Sequence, residues 1–99
     1  MIHVLAIITT KPHQRAAVLE VFNANVPAVH AEAGCIEYGA VIDVDGADPA
    51  FGPDTFVVVE KWETLAALKA HSVAPHMKAY AAKTKDLVAG RAVHVLTPV

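Results

Sequence analysis

The sequence is poor in cysteine, in clustered basic charge and in long apolar runs. Cys35 is the single cysteine, so no disulfide can form within the chain and a reducing cytosol suits it. The net charge is −2 and the basic residues are scattered, so neither nucleic acid nor a membrane is expected as a partner. The apolar run at 2–10 lacks the flanks of a signal peptide and is too short to span a bilayer. No glycine-rich nucleotide motif is present, so a nicotinamide or flavin has no visible cradle.

The chain is rich in apolar residues for its length. Hydrophobic residues make up 55% of the 99 positions. The usual share is about 45–50%, although that reference counts glycine and omits tyrosine. The length fits one domain, residues 1–99, and a domain this small buries only about 60–65% of the surface that its unfolded chain exposes. The apolar surplus therefore favours a face through which the chain associates with itself.

Apolar periodicity, together with proline and glycine, divides the chain into strands and helices. The β-branched run at 2–10 predicts a buried strand, and Pro12 suits the first turn of the following helix. Pro27 is expected to kink or loosen that helix, and Pro75 to split the last helical region in two. The predicted strands are 2–10, 35–44, 55–62 and 91–98, and the predicted helices are 13–32, 65–73 and 75–87, with Gly34 and Gly90 as helix ends.

This order of elements, β-α-β-β-α-β with the last helix in two parts, predicts a ferredoxin-like α+β sandwich. Two split βαβ units with right-handed crossovers give a four-stranded antiparallel sheet with helices on one face. In the third strand, Phe56, Val58, Glu60 and Trp62 share the face that is expected to meet the helices. The opposite face is also largely apolar and requires a second cover. We expect that cover to be the same surface of another chain, in a homodimer.

Glu60 and Trp62 are the conspicuous polar and aromatic groups of the predicted inner face. A buried carboxylate is costly unless it is paired or hydrogen-bonded, which makes Glu60 a candidate site residue. A carboxylate at a strand end that reaches solvent or a lysine fits the pattern equally well. Trp62 fits either a core position with its N–H satisfied or the wall of a substrate pocket. Tyr38 and Tyr80 likewise fit amphipathic packing positions or a pocket between sheet and helices.

His71 and His76 lie on or beside the predicted helices that cover this face. Their spacing of five residues, with Pro75 between them, does not match metal ligands on one helix face. No cysteine, aspartate or glutamate lies nearby at a ligand spacing, so no metal site is expected. A histidine that acts as a base, or donates to a substrate oxygen, is the better functional interpretation. A helix-end histidine bound to a carbonyl is the structural alternative. Cys35 opens a strand and is expected to be buried and inert.

Three short segments carry a combined motif. They read AEAGCIEY at 31–38, FVVVEKWETLAALKAH at 56–71 and PHMKAY at 75–80. Together, at these spacings, they resemble the antibiotic biosynthesis monooxygenase domain family, whose pattern runs E-x-G-C-x-x-Y, then E-x-W, then H-x-x-x-x-H. The matching residues are Glu32, Gly34, Cys35, Tyr38, Glu60, Trp62, His71 and His76. The resemblance covers nearly the whole chain, because the order and length of the elements also match.

The resemblance implies a dimeric α+β barrel with a pocket between sheet and helices. Characterised relatives often oxygenate phenols or quinols without metal, flavin or haem, so no cofactor is expected. In this interpretation His71 takes a proton from the substrate or holds the phenolate, and Glu60 orients that histidine or stabilises its charged form. The remaining substrate-binding candidates are Trp62, His76, Tyr38, Met77 and Tyr80.

Three functions remain open at this point. The first is a cytosolic, cofactor-independent monooxygenase that oxidises a small electron-rich quinol or phenol with O2. The second is an isomerase or lyase that acts on a small carbonyl compound with a histidine base. The third is a non-catalytic dimeric binding module, which a pocket filled by Trp62 and Phe56 would favour.

Overall fold

Seven elements of secondary structure make up the computed structural model, which describes residues 1–99. The elements are β1 (Ile2–Thr10), α1 (Arg15–His30), β2 (Cys35–Val41), β3 (Thr55–Trp62), α2 (Leu65–Ser72), α3 (Pro75–Thr84) and β4 (Val88–Leu96). None of the three helices has the length and apolar character that crossing a bilayer requires.

The four strands form one antiparallel sheet in the order β2-β3-β1-β4. Strand β1 pairs with β3 along its whole length, from Ile2 opposite Trp62 to Thr9 opposite Thr55. The two halves of the chain therefore interleave, and each crosses over through helices that lie on the same face of the sheet. This arrangement confirms the predicted ferredoxin-like α+β fold, with its four-stranded antiparallel sheet and its helices on one face.

The core lies between the inner face of the sheet and helix α1. Strand β3 alternates as predicted, because Phe56, Val58, Glu60 and Trp62 are all buried. Helix α1 contributes apolar side chains at helical spacing to the opposite wall of the core. The largest fully buried side chains are Val4, Val18, Phe22, Val29, Phe56 and Trp62.

The outer face of the sheet carries no helix. Leu5 of β1 and Val59 of β3 lie directly opposite each other on this face. The neighbouring pair, Ile7 and Val57, is also only partly buried, and Leu5 is 38% exposed. The predicted apolar outer face is therefore present, and no element of the chain covers it.

Strand β2 is shorter than predicted, because it ends at Val41 rather than at residue 44. The Asp43 carboxylate accepts hydrogen bonds from the backbone N–H groups of Phe51 and Gly52, at 3.0 and 2.9 Å. These bonds fold the chain back on itself after β2. The aspartate thus offers the backbone an alternative to strand pairing.

Strand β4 begins earlier than predicted. Helix α3 ends at Thr84, where the Leu87 N–H donates to the Thr84 carbonyl at 2.9 Å, and the strand starts at Val88. Gly90 was expected to end the helix but lies inside β4, opposite Thr9, beside a shift in register. The predicted boundary between helix and strand in residues 85–90 was wrong. Glycine is common in irregular strand pairings as well as at helix ends, so Gly90 alone does not mark a helix end.

Helix α1 starts at Arg15 and ends at His30, two residues inside each predicted boundary. The helix continues through Pro27 rather than stopping there. Gly34 follows with a positive φ of 82°, so it turns the chain into β2 and does not itself cap the helix.

Candidate active site

Glu60 and Trp62 project from the end of β3 towards the helices. The indole Nε1–H of Trp62 donates a hydrogen bond of 3.0 Å to Glu60 Oε1. Glu60 is only 6% exposed, so the alternative of a carboxylate that reaches solvent does not hold. Burial raises the pKa of Glu60, and the Trp62 hydrogen bond and the nearby His71 offset part of that rise. The carboxylate is held in a site where its charge is poorly solvated.

His71 is buried on helix α2, directly above these two residues. Thr64 caps the start of this helix, because its side-chain oxygen accepts a hydrogen bond from the Ala67 N–H at 3.1 Å. The His71 ring lies 4.7 Å from the Trp62 ring and 5.4 Å from the Tyr38 ring, between centroids. The imidazole therefore packs against two aromatic rings.

Glu32 joins the two histidines. Its Oε2 lies 2.8 Å from His71 Nδ1 and 2.9 Å from His76 Nε2. An ionised carboxylate can only accept hydrogen bonds, so both imidazoles donate to it through these nitrogens. In neutral His71 the remaining nitrogen, Nε2, then carries a lone pair. Glu32 thereby selects the tautomer in which His71 can act as a base.

Glu32 was not among the predicted site residues, although it belongs to the motif at 31–38. It lies in the turn after α1, 39 residues before His71 in the sequence. The Glu32 N–H donates to the Val29 carbonyl at 3.0 Å, which fixes the start of this turn. The motif at 31–38 could have indicated Glu32 as a site residue, because Glu32 lies two residues before Gly34, where the fold requires a glycine.

Gly34 allows the turn to approach helix α2. A Cβ atom at position 34 would lie 2.6 Å from Ala67 Cβ, closer than real side chains pack. The Gly34 carbonyl also accepts from the Glu63 N–H at 2.8 Å, just before the helix. The missing side chain and this bond bring the turn that carries Glu32 to the helix that carries His71.

A cavity of about 470 Å³ lies between the inner face of the sheet and helix α3. Five of the seven predicted site residues line it: Tyr38, Glu60, His71, Met77 and Tyr80. Lys78, Lys85 and Arg91 also line it, and all three are exposed to solvent. Core side chains do not fill this space, so the filled pocket that would favour a non-catalytic binding module is not found.

Trp62 and His76 lie outside this cavity. Trp62 is fully buried and supports His71 from behind, with its N–H satisfied by Glu60. His76 lines a separate groove between α1 and α3 and reaches the site only through Glu32. Both residues are therefore positioned to orient the groups that line the cavity rather than to form its wall.

The tyrosines of the cavity are neutral phenols. Tyr38 is buried and stacks on Phe22 with centroids 5.3 Å apart. Burial, and then the nearby Glu60 charge, raise the pKa of the Tyr38 hydroxyl. Burial also raises the pKa of Tyr80. The cavity thus offers flat aromatic faces and hydroxyl groups that do not ionise at neutral pH.

Cys35 is only partly buried, at the start of β2. Burial, followed by the Glu32 and Glu60 charges, raises the pKa of its thiol. A thiol with a raised pKa is a poor nucleophile, which agrees with the expected inert role.

A metal ion could bind to one group of side chains in this site, which consists of Glu32, His71 and His76. One carboxylate oxygen and two imidazole nitrogens lie within 4.8 Å of one another. Residue spacing along the helices could not indicate this group, because its carboxylate comes from the turn after α1.

An α+β sandwich with an apolar cavity, a buried carboxylate and an oriented histidine defines a class of small-molecule enzyme. The chain belongs to the antibiotic biosynthesis monooxygenase family, whose model matches residues 1–83. The probable quinol monooxygenase YgiN of Escherichia coli is 39% identical to it over 102 aligned residues, covering 99% of this chain and 98% of YgiN. The family and this relative identify the chain as a monooxygenase.

Solved structures share the fold. Rv0793 from Mycobacterium tuberculosis superposes with a TM-score of 0.82 at 28% identity, covering 99% of this chain and 94% of that one. A crystal structure of an antibiotic biosynthesis monooxygenase gives a TM-score of 0.84 at 24% identity, covering 100% of this chain and 99% of that one.

Proposed function

We propose that the protein oxidises a small electron-rich quinol or phenol with O2, without a metal or an organic cofactor. The observation that carries this proposal is the contact of 2.8 Å between Glu32 Oε2 and His71 Nδ1. It leaves Nε2 of a cavity-lining histidine free to take a proton from a bound hydroxyl group. The cavity volume of about 470 Å³ suits a substrate of one or two rings.

The reaction begins with proton transfer from the substrate hydroxyl to His71 Nε2. Glu32 accepts from the opposite nitrogen and so stabilises the imidazolium that forms. The resulting phenolate or quinol anion is electron-rich enough to give one electron to O2, which reacts poorly with neutral closed-shell molecules. Apolar lining and aromatic faces keep water from the radical pair that follows.

The electron balance of this reaction needs no external reductant. A hydroquinone and O2 give a hydroxyquinone and water, with one oxygen atom entering the ring and the other leaving as water. The hydroquinone supplies all four electrons that O2 accepts, two as it becomes a quinone and two as its C–H bond becomes C–OH. The protons released from oxygen and carbon form the water.

We also propose that the protein acts as a homodimer. The support is the outer face of the sheet, where Leu5 and Val59 pair and Leu5 is 38% exposed. A second copy of this face is self-complementary and would remove both apolar surfaces from water. No nucleic acid or membrane is required in this proposal, and a cytosolic location remains the expectation from the sequence.

A second candidate function is isomerisation of a small anionic carbonyl compound by the same histidine base. Lys78, Lys85 and Arg91 favour it, because all three line the cavity and could hold a phosphate or carboxylate. The two candidates differ in their need for O2. An isomerase turns over equally well under nitrogen, whereas a monooxygenase stops.

The deciding experiment is O2 uptake by metal-stripped protein with a panel of reduced naphthoquinols. Spontaneous autoxidation is subtracted, and His71→Ala is compared with His13→Ala, an exposed histidine outside the cavity. We expect saturable uptake, an oxygenated product and a loss of about 10²-fold or more in His71→Ala alone. Loss of less than threefold with the fold intact would remove His71 from the role of base. Uptake no faster than autoxidation across the panel would favour the isomerase.

A further inference from the structure

We propose that Glu32, His71 and His76 form a binding site for one divalent transition-metal ion, zinc foremost, and that its occupancy switches the oxidation reaction off. The three side chains come from three separate segments: the turn after α1, helix α2 and helix α3. Their convergence on one point is a property of the fold and not of local sequence. The inhibition rests on the proposed function, whereas the binding of the metal does not.

The donor set matches a known class of metal site. Two imidazoles and one carboxylate supply three ligands to catalytic zinc and leave a fourth position open for water. The same set with open positions also suits other divalent first-row metals. One negative carboxylate and two neutral rings offset half the charge of the ion. They fill three of its four positions, so a second anion or a water completes the coordination.

The distances lie close to those that a metal needs. A zinc ion with bonds of about 2.0–2.1 Å separates its tetrahedral ligand atoms by about 3.3 Å. Glu32 Oε2 lies 2.8 Å from His71 Nδ1 and 2.9 Å from His76 Nε2, and all three atoms lie within 4.8 Å of one another. The two contacts to the Glu32 oxygen must therefore open slightly when an ion binds between the three atoms.

The site is protected but accessible. The side chains of His71 and Glu32 are 6% and 13% exposed, and that of His76 is 28% exposed. His76 lines the groove between α1 and α3, which gives an ion a route from solvent to the carboxylate.

Metal binding moves the ring hydrogen of His71 from Nδ1 to Nε2. In the metal-free protein Nδ1 carries the hydrogen and donates to Glu32, and Nε2 carries the lone pair. An ion on Nδ1 requires the lone pair there, so the ring hydrogen moves to Nε2, which lies on the side of the ring away from the ion. The imidazole stays neutral but no longer has a lone pair with which to take a proton from a substrate. His71 therefore cannot bind the metal through Nδ1 and act as a base through Nε2 at the same time.

The experiment is calorimetric titration of the metal-stripped protein with zinc chloride, using wild type, Glu32→Gln, His76→Ala and His3→Ala. We expect one zinc per chain in wild type and in His3→Ala, and an affinity at least tenfold weaker in the other two. Circular dichroism verifies that each variant is folded, and His76→Asn replaces His76→Ala if the alanine protein is not. Equal zinc affinity in all folded variants, or no binding in wild type at 100-fold excess of zinc, would overturn the site.

Inhibition is measured separately as the ratio of O2 uptake with and without zinc in each protein. We expect this ratio to be 0.1 or lower in wild type at saturating zinc. In His76→Ala we expect it to stay near 1. Zinc bound at this site with undiminished uptake would refute the switch and leave the binding site. If no quinol is oxidised at all, the titration still decides whether the metal site exists.

Discussion

The indole nitrogen of Trp62 donates to the carboxylate of Glu60 at 3.0 Å, and both side chains are buried at the floor of the site. One neutral donor does not replace the water that a carboxylate loses on burial. Burial therefore raises the pKa of Glu60 despite this bond. The buried carboxylate of Glu60, which costs stability, thus lies beside the oriented imidazole of His71. Such a combination is common in active sites.

The first prediction concerns the pH dependence that Glu60 gives to stability. A carboxyl group with a raised pKa in the folded state stabilises the fold below its unfolded pKa, and that contribution is lost as pH rises through the folded value. Glu60→Gln keeps the acceptor for Trp62 and removes the buried charge. We expect it to be more stable than wild type by about 1 kcal/mol at pH 8 and less active. Urea unfolding at pH 4 and pH 8 measures the difference, and an equal gain at both values would contradict the assignment.

The second prediction concerns the close approach of Gly34 to helix α2. Gly34→Ala puts a methyl group 2.6 Å from Ala67 Cβ at a residue with a φ of 82°. Gly46 has the same φ of 82° with no atom within 4 Å, so Gly46→Ala carries the backbone strain without the collision. We expect Gly34→Ala to lose about 1–3 kcal/mol more than Gly46→Ala and to lose O2 uptake as well. Urea unfolding of the two variants gives the comparison, and equal losses would mean that the turn moves freely.

The third prediction concerns the outer face of the sheet. Val59→Lys introduces a charge opposite Leu5 in the middle of the apolar surface. We expect wild type to scatter light as a dimer of 10.5 kDa chains and the variant to be a monomer. Val44→Lys is the matched control, because Val44 is already 76% exposed in the loop after β2. A wild-type monomer at micromolar concentration would contradict the proposed interface.

The fourth prediction concerns the charge at the mouth of the cavity. Arg91 is exposed and lines the cavity beside two lysines. We expect Arg91→Gln to reduce the preference for a carboxylate-bearing quinol over its neutral analogue by about threefold to fivefold, the range of an exposed ion pair. Lys11→Gln, outside the cavity, serves as the control. The kcat/KM ratios at low and high salt measure the effect, which added salt must weaken. An unchanged ratio would show that Arg91 does not contact the substrate.

The central strands could be predicted because their pattern is local. Strand β3 begins and ends where the alternation of apolar residues predicted, at Thr55 and Trp62. The same alternation put Glu60 on the inner face. Strand β4 was harder to predict, because Gly90 and the register shift opposite Thr9 and Thr10 depend on pairing with β1, which no local pattern contains.

The candidate site was only partly predictable for the same reason. The cavity-lining residues of β3 and the helices could be assigned to one face from periodicity. The contact between Glu32 and the histidines depends on the turn after α1 meeting α2 at Gly34, across 39 residues of sequence. Spacing rules for metal or catalytic residues on one helix do not describe such a contact.

Trp62 is the only tryptophan in the chain, and its ring lies 4.7 Å from the His71 ring while its N–H binds Glu60. All indole fluorescence of the protein therefore arises from one side chain that contacts both His71 and Glu60. Its emission reports on changes at that site without interference from a second indole. Occupancy of the cavity can thus be followed in the unlabelled, unmutated protein.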